Sequence, residues 1–267
     1  MIRKATKGLY AAIVFLFLYA PIAVLIIFSF NESKSRGAWG GFSFNWYREL
    51  LGDTSIMDAL ITTITVALLA SIISTIIGTL AAIGMSGMRK RFRNILMNVT
   101  YLPVLNPDIV TGVSLLILFM FIGRFLDLRP GYLTLLLSHI TFCIPYVILS
   151  VLPKFSQLNR NIYEAALDLG CPPVQAFFKV VFPDLLPNIV TGFLLAFTLS
   201  IDDFVISFFT TGPGVNTLSI TIYSMARRGI NPEINALSTI MFFVVLVMLI
   251  IVNARANRTN KKTQKAE

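Results

Sequence analysis

Long stretches of apolar residues without a charge limit most strongly what this chain can fold into. They cover residues 8–31, 59–88, 131–153, 204–226 and 234–254, and most of them reach the roughly 20 residues with which a helix crosses a bilayer. Only 13% of the residues are charged, whereas soluble domains carry roughly 25%. A transmembrane β-barrel would instead show short alternating segments. The pattern therefore predicts an all-α integral membrane protein.

We predict six transmembrane helices with both termini in the cytoplasm. The helices are expected over Leu9–Phe30, Leu60–Ser86, Ile95–Gly123, Tyr132–Leu152, Leu185–Phe209 and Ile234–Asn253. In this orientation fifteen of the 22 Lys and Arg residues lie in cytoplasmic segments, as the positive-inside rule requires. The net charge of +9 thus reflects topology rather than nucleic-acid binding. The first helix ends without a small-x-small site, so we expect a retained anchor and not a cleaved signal peptide.

The cytoplasmic connection between the fourth and fifth helices has the pattern of a compact knob. Residues Asn161 to Gly170 form a short amphipathic pattern, and Gly170 is suitably placed to cap its C-terminus. Pro172 and Pro173 end that helix, and a second apolar segment follows up to Phe182. Such a projection suits docking to another protein, although an ordinary loop helix with a good cap has the same pattern.

The residues of this connection resemble a known motif. Glu164-Ala165-Ala166 is followed after three residues by Gly170, and after nine more by Val180-Val181-Phe182-Pro183. The pattern is similar to the EAA loop of ABC importer permeases, with Val and Phe in place of the usual Ile and Leu. The resemblance implies an MetI-like type I ABC importer permease fold. It also implies that Glu164, Ala165, Ala166 and Gly170 couple the helices to an ATPase.

Further motifs in the same order resemble the C-type permeases of bacterial spermidine/putrescine importers. They are Asn31, Phe44-Asn45-Trp46-Tyr47, Asn106-Pro107-Asp108, Ser138-His139-Ile140-Thr141-Phe142 and Ser200-Ile201-Asp202-Asp203. This resemblance implies a first helix and external loop over 1–57, a permease domain over 58–253 with the EAA-like loop at 161–183, and a basic cytoplasmic tail over 254–267. It also places Ser200 and Trp46 on a substrate pathway.

The partners follow from the resemblance. It implies a second homologous permease, two copies of an ABC ATPase, an extracytoplasmic polyamine-binding protein and membrane lipid, but no nucleic acid. The chain contains no Gly-x4-Gly-Lys-[Ser/Thr] loop, so we expect ATP and Mg²⁺ on the partner and no cofactor here. Cys143 and Cys171 form neither a disulfide framework nor a metal site by their spacing.

Acidic residues inside the apolar segments favour a cationic substrate without reference to any family. Asp108, Asp202 and Asp203 lie there, and the six segments contain no Lys or Arg to pair with them. An acid at bilayer depth costs at least about 2.5 kcal/mol on insertion scales, so water, backbone donors, a partner or a passing cation must compensate. A polyamine offers several ammonium groups to such acids.

Each of these residues has a simpler alternative role. Pro103 and Pro107 should break helix three beside Asp108, which then either binds a cation or caps the broken helix. Asp202 and Asp203 point about 100° apart on a helix, so we expect only one of them to face the pathway, unless the helix ends before them. Trp46 offers its ring to an ammonium or lies at the membrane interface.

Three further polar residues are assigned no role in transport. His139 lies alone between Ser138 and Thr141, which favours a hydrogen bond between packed helices over a ligand site. Asp168 and Asp184 are read as solvated charges beside the knob.

Other functions remain open from the residues alone. The permease could carry ferric ion, an aminophosphonate or another small solute. A secondary transporter could use Asp108 or Asp203 as a proton carrier, but it would show inverted repeats, which the sequence lacks. A membrane enzyme would need a nucleophile with its base, or a metal cluster, and the sequence shows neither pattern.

Overall fold

The fold is described by a computed structural model that covers residues 2–34, 38–126, 129–158, 160–228 and 232–263. These residues are almost entirely helical, and an isolated bridge between Asn31 and Phe42 is their one β-type pairing. The helices are α1 (Ile2–Ser29), α2 (Asn45–Gly52), α3 (Thr54–Ser86), α4 (Lys90–Leu105), α5 (Asp108–Leu126), α6 (Tyr132–Gln157), α7 (Arg160–Asp168), α8 (Pro173–Ala176), α9 (Phe182–Asp202), α10 (Val205–Thr210), α11 (Leu218–Arg228) and α12 (Glu233–Thr263). A π-helical turn, Phe177–Val181, joins α8 to α9.

The apolar helices confirm the predicted all-α membrane architecture. Within the described residues, five helical segments are long and apolar enough to cross a membrane: Tyr10–Ser29, Thr54–Ser86, Asp108–Phe125, Tyr132–Phe155 and Pro173–Asp202. A shorter apolar helix, Glu233–Val247, corresponds to the sixth predicted span. Two of the connections expected between spans contain helices of their own, α2 and α11.

The third predicted span is interrupted, as its prolines suggested. The interruption lies at Asn106 and Pro107, whereas Pro103 stays inside α4. Asn106 has φ −74° and ψ 144°, because a residue before proline is driven out of the α conformation. Asp108 thus begins a separate helix.

The fifth predicted span was wrong at both ends. The chain is already helical at Pro173, and α9 ends at Asp202 rather than continuing to Phe209. Asp203 is extended, with φ −65° and ψ 125°, before α10 restarts at Val205. The apolar run continues through this break without a proline or glycine, so hydropathy alone could not reveal it.

The chain divides into two compact units, and the larger comprises residues 59–220 together with 249–267. Its core is centred on α6, whose buried residues Phe142, Cys143, Val147, Ile148, Val151 and Leu152 pack with Ala82, Met85, Leu115, Phe119, Ala196 and Ile206. Glycines on two neighbouring helices allow α6 to approach those helices closely. Gly78 of α3 and Gly192 of α9 both approach Val147.

The approach of Gly78 to Val147 leaves no room for a side chain. A Cβ at Gly78 would lie 2.7 Å from the Val147 Cβ. We therefore expect Gly78→Ala to destabilise the protein by about 1–3 kcal/mol, the usual cost of overpacking. Thermal unfolding of the detergent-solubilised protein measures this loss. Gly84→Ala is the matched control on the same helix, because its Cβ would meet nothing within 4 Å; equal midpoints for both variants would contradict the close contact.

The smaller unit, residues 1–58 with 221–248, contains a cluster of aromatic rings beyond the end of α1. The rings of Phe30, Phe42, Phe44 and Tyr47 lie with centroids 5.1–6.0 Å apart. The Trp46 indole N–H donates to the Asn31 carbonyl at 2.6 Å. The predicted connection after the first span is therefore a folded element with its own packing.

Candidate functional site

The break between α9 and α10 places two acids in different surroundings. The Asp203 carboxylate accepts three hydrogen bonds from the first turn of α10: from the Ile206 backbone N–H at 3.2 Å, and from the Ser207 backbone N–H and hydroxyl at 2.7 and 2.8 Å. Its side chain is 9% exposed. Asp203 therefore caps α10, which explains why the helix is interrupted inside an apolar run.

Asp202 lies on the exposed side of the same break. Its carboxylate is near enough to that of Asp203 for the two charges to interact. One acid is turned inward and the other outward, but the 100° spacing of a helix is not the cause, because Asp203 is extended and lies outside α9. Because the charge of Asp203 is already compensated by donors of its own chain, Asp202 is the acid of the pair that is open to a cation.

A buried hydrogen-bond chain connects α6 to both sides of this break. His139 Nδ1 lies 2.6 Å from Ser200 Oγ on α9, and Nε2 lies 2.9 Å from Ser207 Oγ on α10. The same Nε2 is 3.6 Å from Asp203 Oδ2. We call these four residues, Ser200, His139, Ser207 and Asp203, the buried polar chain. The predicted role of His139 in hydrogen bonding between helices is confirmed.

The second break, between α4 and α5, places Asp108 as the exposed first residue of α5. One turn later Gly112 packs against α10, where a Cβ would lie 2.9 Å from Phe209 and 3.4 Å from the Ile206 Cα. The Asp108 carboxylate is near enough to Tyr146 of α6 to interact with it electrostatically. The glycine thus brings the start of α5 against the helix that follows the other break.

Positions along α6 show how far apart the two helix breaks lie in the direction of this helix. His139 lies about 10 Å along this helix from Tyr132, and Tyr146 about 21 Å, at 1.5 Å per residue. Asp203 lies beside His139, 3.6 Å from its Nε2, whereas Asp108 lies in the neighbourhood of Tyr146, which is seven residues further along α6. The two acids therefore lie at different heights along a helix that has the length of a membrane span.

Trp46 lies in the smaller unit, where its side chain is only 4% exposed. Its N–H is bonded to Asn31, and the neighbouring Tyr47 hydroxyl lies 2.7 Å from Ser29 Oγ. Burial covers the ring face that the cation contact requires. We therefore assign Trp46 a structural role in the smaller unit and leave it out of the proposed pathway.

The segment predicted to dock a partner forms a sharp helical corner. Gly170 has φ +82°, and its N–H donates to the Leu167 carbonyl at 2.9 Å. The Cys171 N–H donates to the Ala166 carbonyl at 3.1 Å. These two bonds form a Schellman motif, in which glycine is favoured because it accepts the left-handed conformation. The predicted C-terminal cap at Gly170 is confirmed.

The corner presents both charge and apolar surface. Glu164 and Ala165 are exposed on α7, and Ala166 is half-buried. Apolar side chains on both sides of Gly170 are exposed as well, namely Ile162, Leu169, Val174 and Phe178. The following π turn ends at Val181, two residues before Pro183, and its wider hydrogen-bonded ring leaves room for a proline that would clash with the carbonyl four residues earlier in an α-helix. An exposed apolar patch of this kind is typical of a protein interface.

Regular contacts join this corner to the acid site through α6 and α9. Along the pair, one contact per turn is formed by Lys154 with Asp184, Ser150 with Asn188, Val147 with Gly192, Cys143 with the Ala196 carbonyl, and His139 with Ser200. The Lys154 ammonium lies 3.0 Å from the Asp184 carboxylate. The Asp184 side chain is 42% exposed, as the sequence predicted, but the prediction missed its ion pair with Lys154, which lies on another helix. Asp168 is exposed, as expected.

Comparison with known proteins identifies the family. The pattern of the family described as binding-protein-dependent transport system inner membrane component matches residues 74–265. The putrescine transport system permease protein PotI of Escherichia coli strain K12 is 43% identical over 234 residues, which cover 86% of this chain and 83% of that protein. The spermidine/putrescine transport system permease protein PotC of Haemophilus influenzae is 36% identical over 97% of this chain and 100% of its own length.

Solved structures show the same fold at low sequence identity. The chain matches a bacterial ABC transporter involved in the import of the acidic polysaccharide alginate with a TM-score of 0.73 and 17% identity, over 95% of this chain and 96% of that chain. An inward-facing form of the MetNI methionine ABC transporter matches with a TM-score of 0.59 and 14% identity, over 78% and 99% of the two chains. Because the family pattern covers most of the sequence and the fold agrees, this multi-pass membrane chain belongs to the binding-protein-dependent transport system inner membrane components, which are transport permeases.

Proposed function

We propose that this chain is a permease subunit of an ABC importer that moves the polyamines spermidine and putrescine into the cytoplasm. The observation that carries the proposal is the position of two exposed acids, Asp202 and Asp108. Each lies at a break between two helices, and both breaks lie beside α6. The predicted spans hold no Lys or Arg to neutralise them. The names of the relatives, putrescine and spermidine/putrescine permeases, agree with a polycationic cargo.

Acids at successive depths suit a flexible polycation. Each ammonium group that leaves water needs acceptors to replace its hydration, and charge-assisted hydrogen bonds are the strongest available. Asp202 would receive the first ammonium and Asp108 the next, while Asp203 and Ser200 hold the break in shape. The methylene segments of the polyamine can meanwhile lie against apolar helix surface.

The coupling role in this proposal belongs to the corner around Gly170. With both termini in the cytoplasm, α7 faces the cytoplasm and docks into a partner ATPase through Glu164, Ala165 and Ala166. ATP and Mg²⁺ bind on that partner, in two copies, and this chain carries no catalytic residue. A second permease chain and an extracytoplasmic binding protein complete the importer. Closure of the ATPase moves the corner, and the α6–α9 pair carries the movement to the acids.

Uptake of labelled spermidine into vesicles that contain the assembled importer tests the proposal. We expect saturable, ATP-dependent uptake that putrescine inhibits and that ferric ion or an aminophosphonate does not. An assembled complex with active ATPase but no polyamine uptake would refute the cargo. Uptake that persists without ATP but requires a proton gradient would refute the importer mechanism as well.

A further inference from the structure

The buried polar chain has a single consistent hydrogen-bond direction when Asp203 is ionised. The Ser207 hydroxyl has one proton, and it donates this proton to Asp203 Oδ2 at 2.8 Å. Ser207 Oγ must then accept from His139 Nε2, 2.9 Å away. A neutral imidazole with its proton on Nε2 leaves Nδ1 as an acceptor, which Ser200 Oγ approaches to 2.6 Å. Every donor thus points towards the carboxylate.

His139 is well placed to set the geometry of the break. Its ring extends from α6 and bonds α9 on one nitrogen and α10 on the other. The helical conformation is interrupted between those two elements, at Asp203 and Phe204. Side-chain bonds to a third helix can therefore help to fix the angle of the break. The ring is 1% exposed, and buried hydrogen bonds are costly to leave unmade.

We infer that His139 is a positioning residue of the transport pathway, which through Ser200 and Ser207 holds the α9–α10 break so that Asp202 stays turned towards the pathway. This inference rests on the proposed function for the role of Asp202 in binding cargo. His139 itself does not contact the cargo, because both of its ring nitrogens are occupied by the two serines. His139 therefore affects Asp202 indirectly, by holding the angle between α9 and α10.

The contacts between α6 and α9 also connect His139 to the docking corner around Gly170. The Lys154–Asp184 pair lies beside the docking corner, and the His139–Ser200 pair lies at the acid site. The two helices are joined at each turn between these points. On the α10 side, His139 bonds Ser207 near the start of the helix, and the Thr134 hydroxyl of α6 donates to the Thr210 carbonyl at its end. His139 is therefore the α6 residue that joins the α6–α9 pair to the end of α10 nearest the acids.

The test combines a readout that does not depend on cargo with one that does. The first measures how fast a water-soluble, positively charged thiol reagent modifies Asp202→Cys in the assembled importer, after Cys143 and Cys171 are replaced by Ala. We expect the rate to fall about tenfold when Ser207→Ala or His139→Phe is added, since each removes a hydrogen bond to the break. His139→Gln should restore the rate, because its amide can donate to Ser207 and accept from Ser200.

The second readout is spermidine uptake with the native Asp202. Ser207→Ala and His139→Phe should raise the KM about tenfold, with wild-type amounts of complex and wild-type ATPase activity. Ser138→Ala is the matched control: this serine is also buried on α6, but it bonds the Thr134 carbonyl of its own helix. Unchanged reagent rates in both variants, or failure of His139→Gln to rescue, would overturn the inference. Absence of wild-type spermidine uptake with the expected reagent rates would refute the cargo and keep the positioning role.

Discussion

Asp202→Asn should raise the KM for spermidine uptake about 10- to 100-fold and leave ATP hydrolysis by the assembled importer intact. The exposed carboxylate is free to bind an ammonium group, and a hydrogen bond to a charged group contributes about 1.5–3 kcal/mol. Asparagine has nearly the same shape and keeps an acceptor oxygen, so the loss measures charge rather than packing. Initial uptake rates at several spermidine concentrations, together with phosphate release, measure the two effects.

The control for this change is Glu49→Gln. Glu49 is an exposed acid on α2, outside the apolar spans, and the variant makes the same loss of charge. It should transport like the wild type. If Asp202→Asn leaves the KM unchanged while Asp108→Asn raises it, the cation binds at the other break and the assignment of Asp202 is wrong.

Glu164→Lys should reduce ATP-dependent uptake at least tenfold by a different route. Glu164 is exposed on the docking corner, and the reversal of a charge in a protein interface juxtaposes like charges at a cost of several kcal/mol. The partner ATPase should therefore dock poorly, so that binding-protein stimulation of ATP hydrolysis is lost with transport. Phosphate release with and without the loaded binding protein distinguishes this defect from that of Asp202→Asn.

Glu49→Lys makes the same change of charge away from the docking corner and should keep both activities. Glu164→Gln should fall between the wild type and Glu164→Lys, because it removes the charge without adding an opposed one. Stimulated ATP hydrolysis at the wild-type level in Glu164→Lys, with normal uptake, would mean that the corner does not contact the ATPase through this face.

Local chemistry made part of the fold predictable. The length of an apolar run decides whether a helix can span a bilayer, and within the described residues five of the six predicted spans correspond to helices long enough to do so. The interruption beside Asp108 followed from Pro107, since proline restricts the residue before it. The corner at Gly170 followed from the spacing of a helix-capping glycine after an amphipathic pattern. In each case the deciding residues lie within a few positions of the structure that they determine.

Contacts that have no distinctive sequence motif could not be predicted in the same way. The helix break at Asp203 depends on a carboxylate that accepts hydrogen bonds from the following turn, and Ser207 has no motif that distinguishes it from other serines. The burial of Trp46 depends on the Asn31 carbonyl, fifteen residues away. The ion pair of Asp184 was missed because its partner Lys154 lies on another helix.

Local sequence chemistry was sufficient to predict that this chain spans a membrane, where the helix break at Pro107 and the corner at Gly170 fall, and which acids the apolar spans contain. These properties depend on hydrophobicity, proline and glycine, which act locally. Which of the two adjacent acids is exposed and which is already bonded became clear only from the folded chain, because it depends on how the first turn of α10 places its donors around one carboxylate. Asp202 and Asp203 are chemically identical, and their different surroundings arise from the packing of α10 and of His139 beside Asp203.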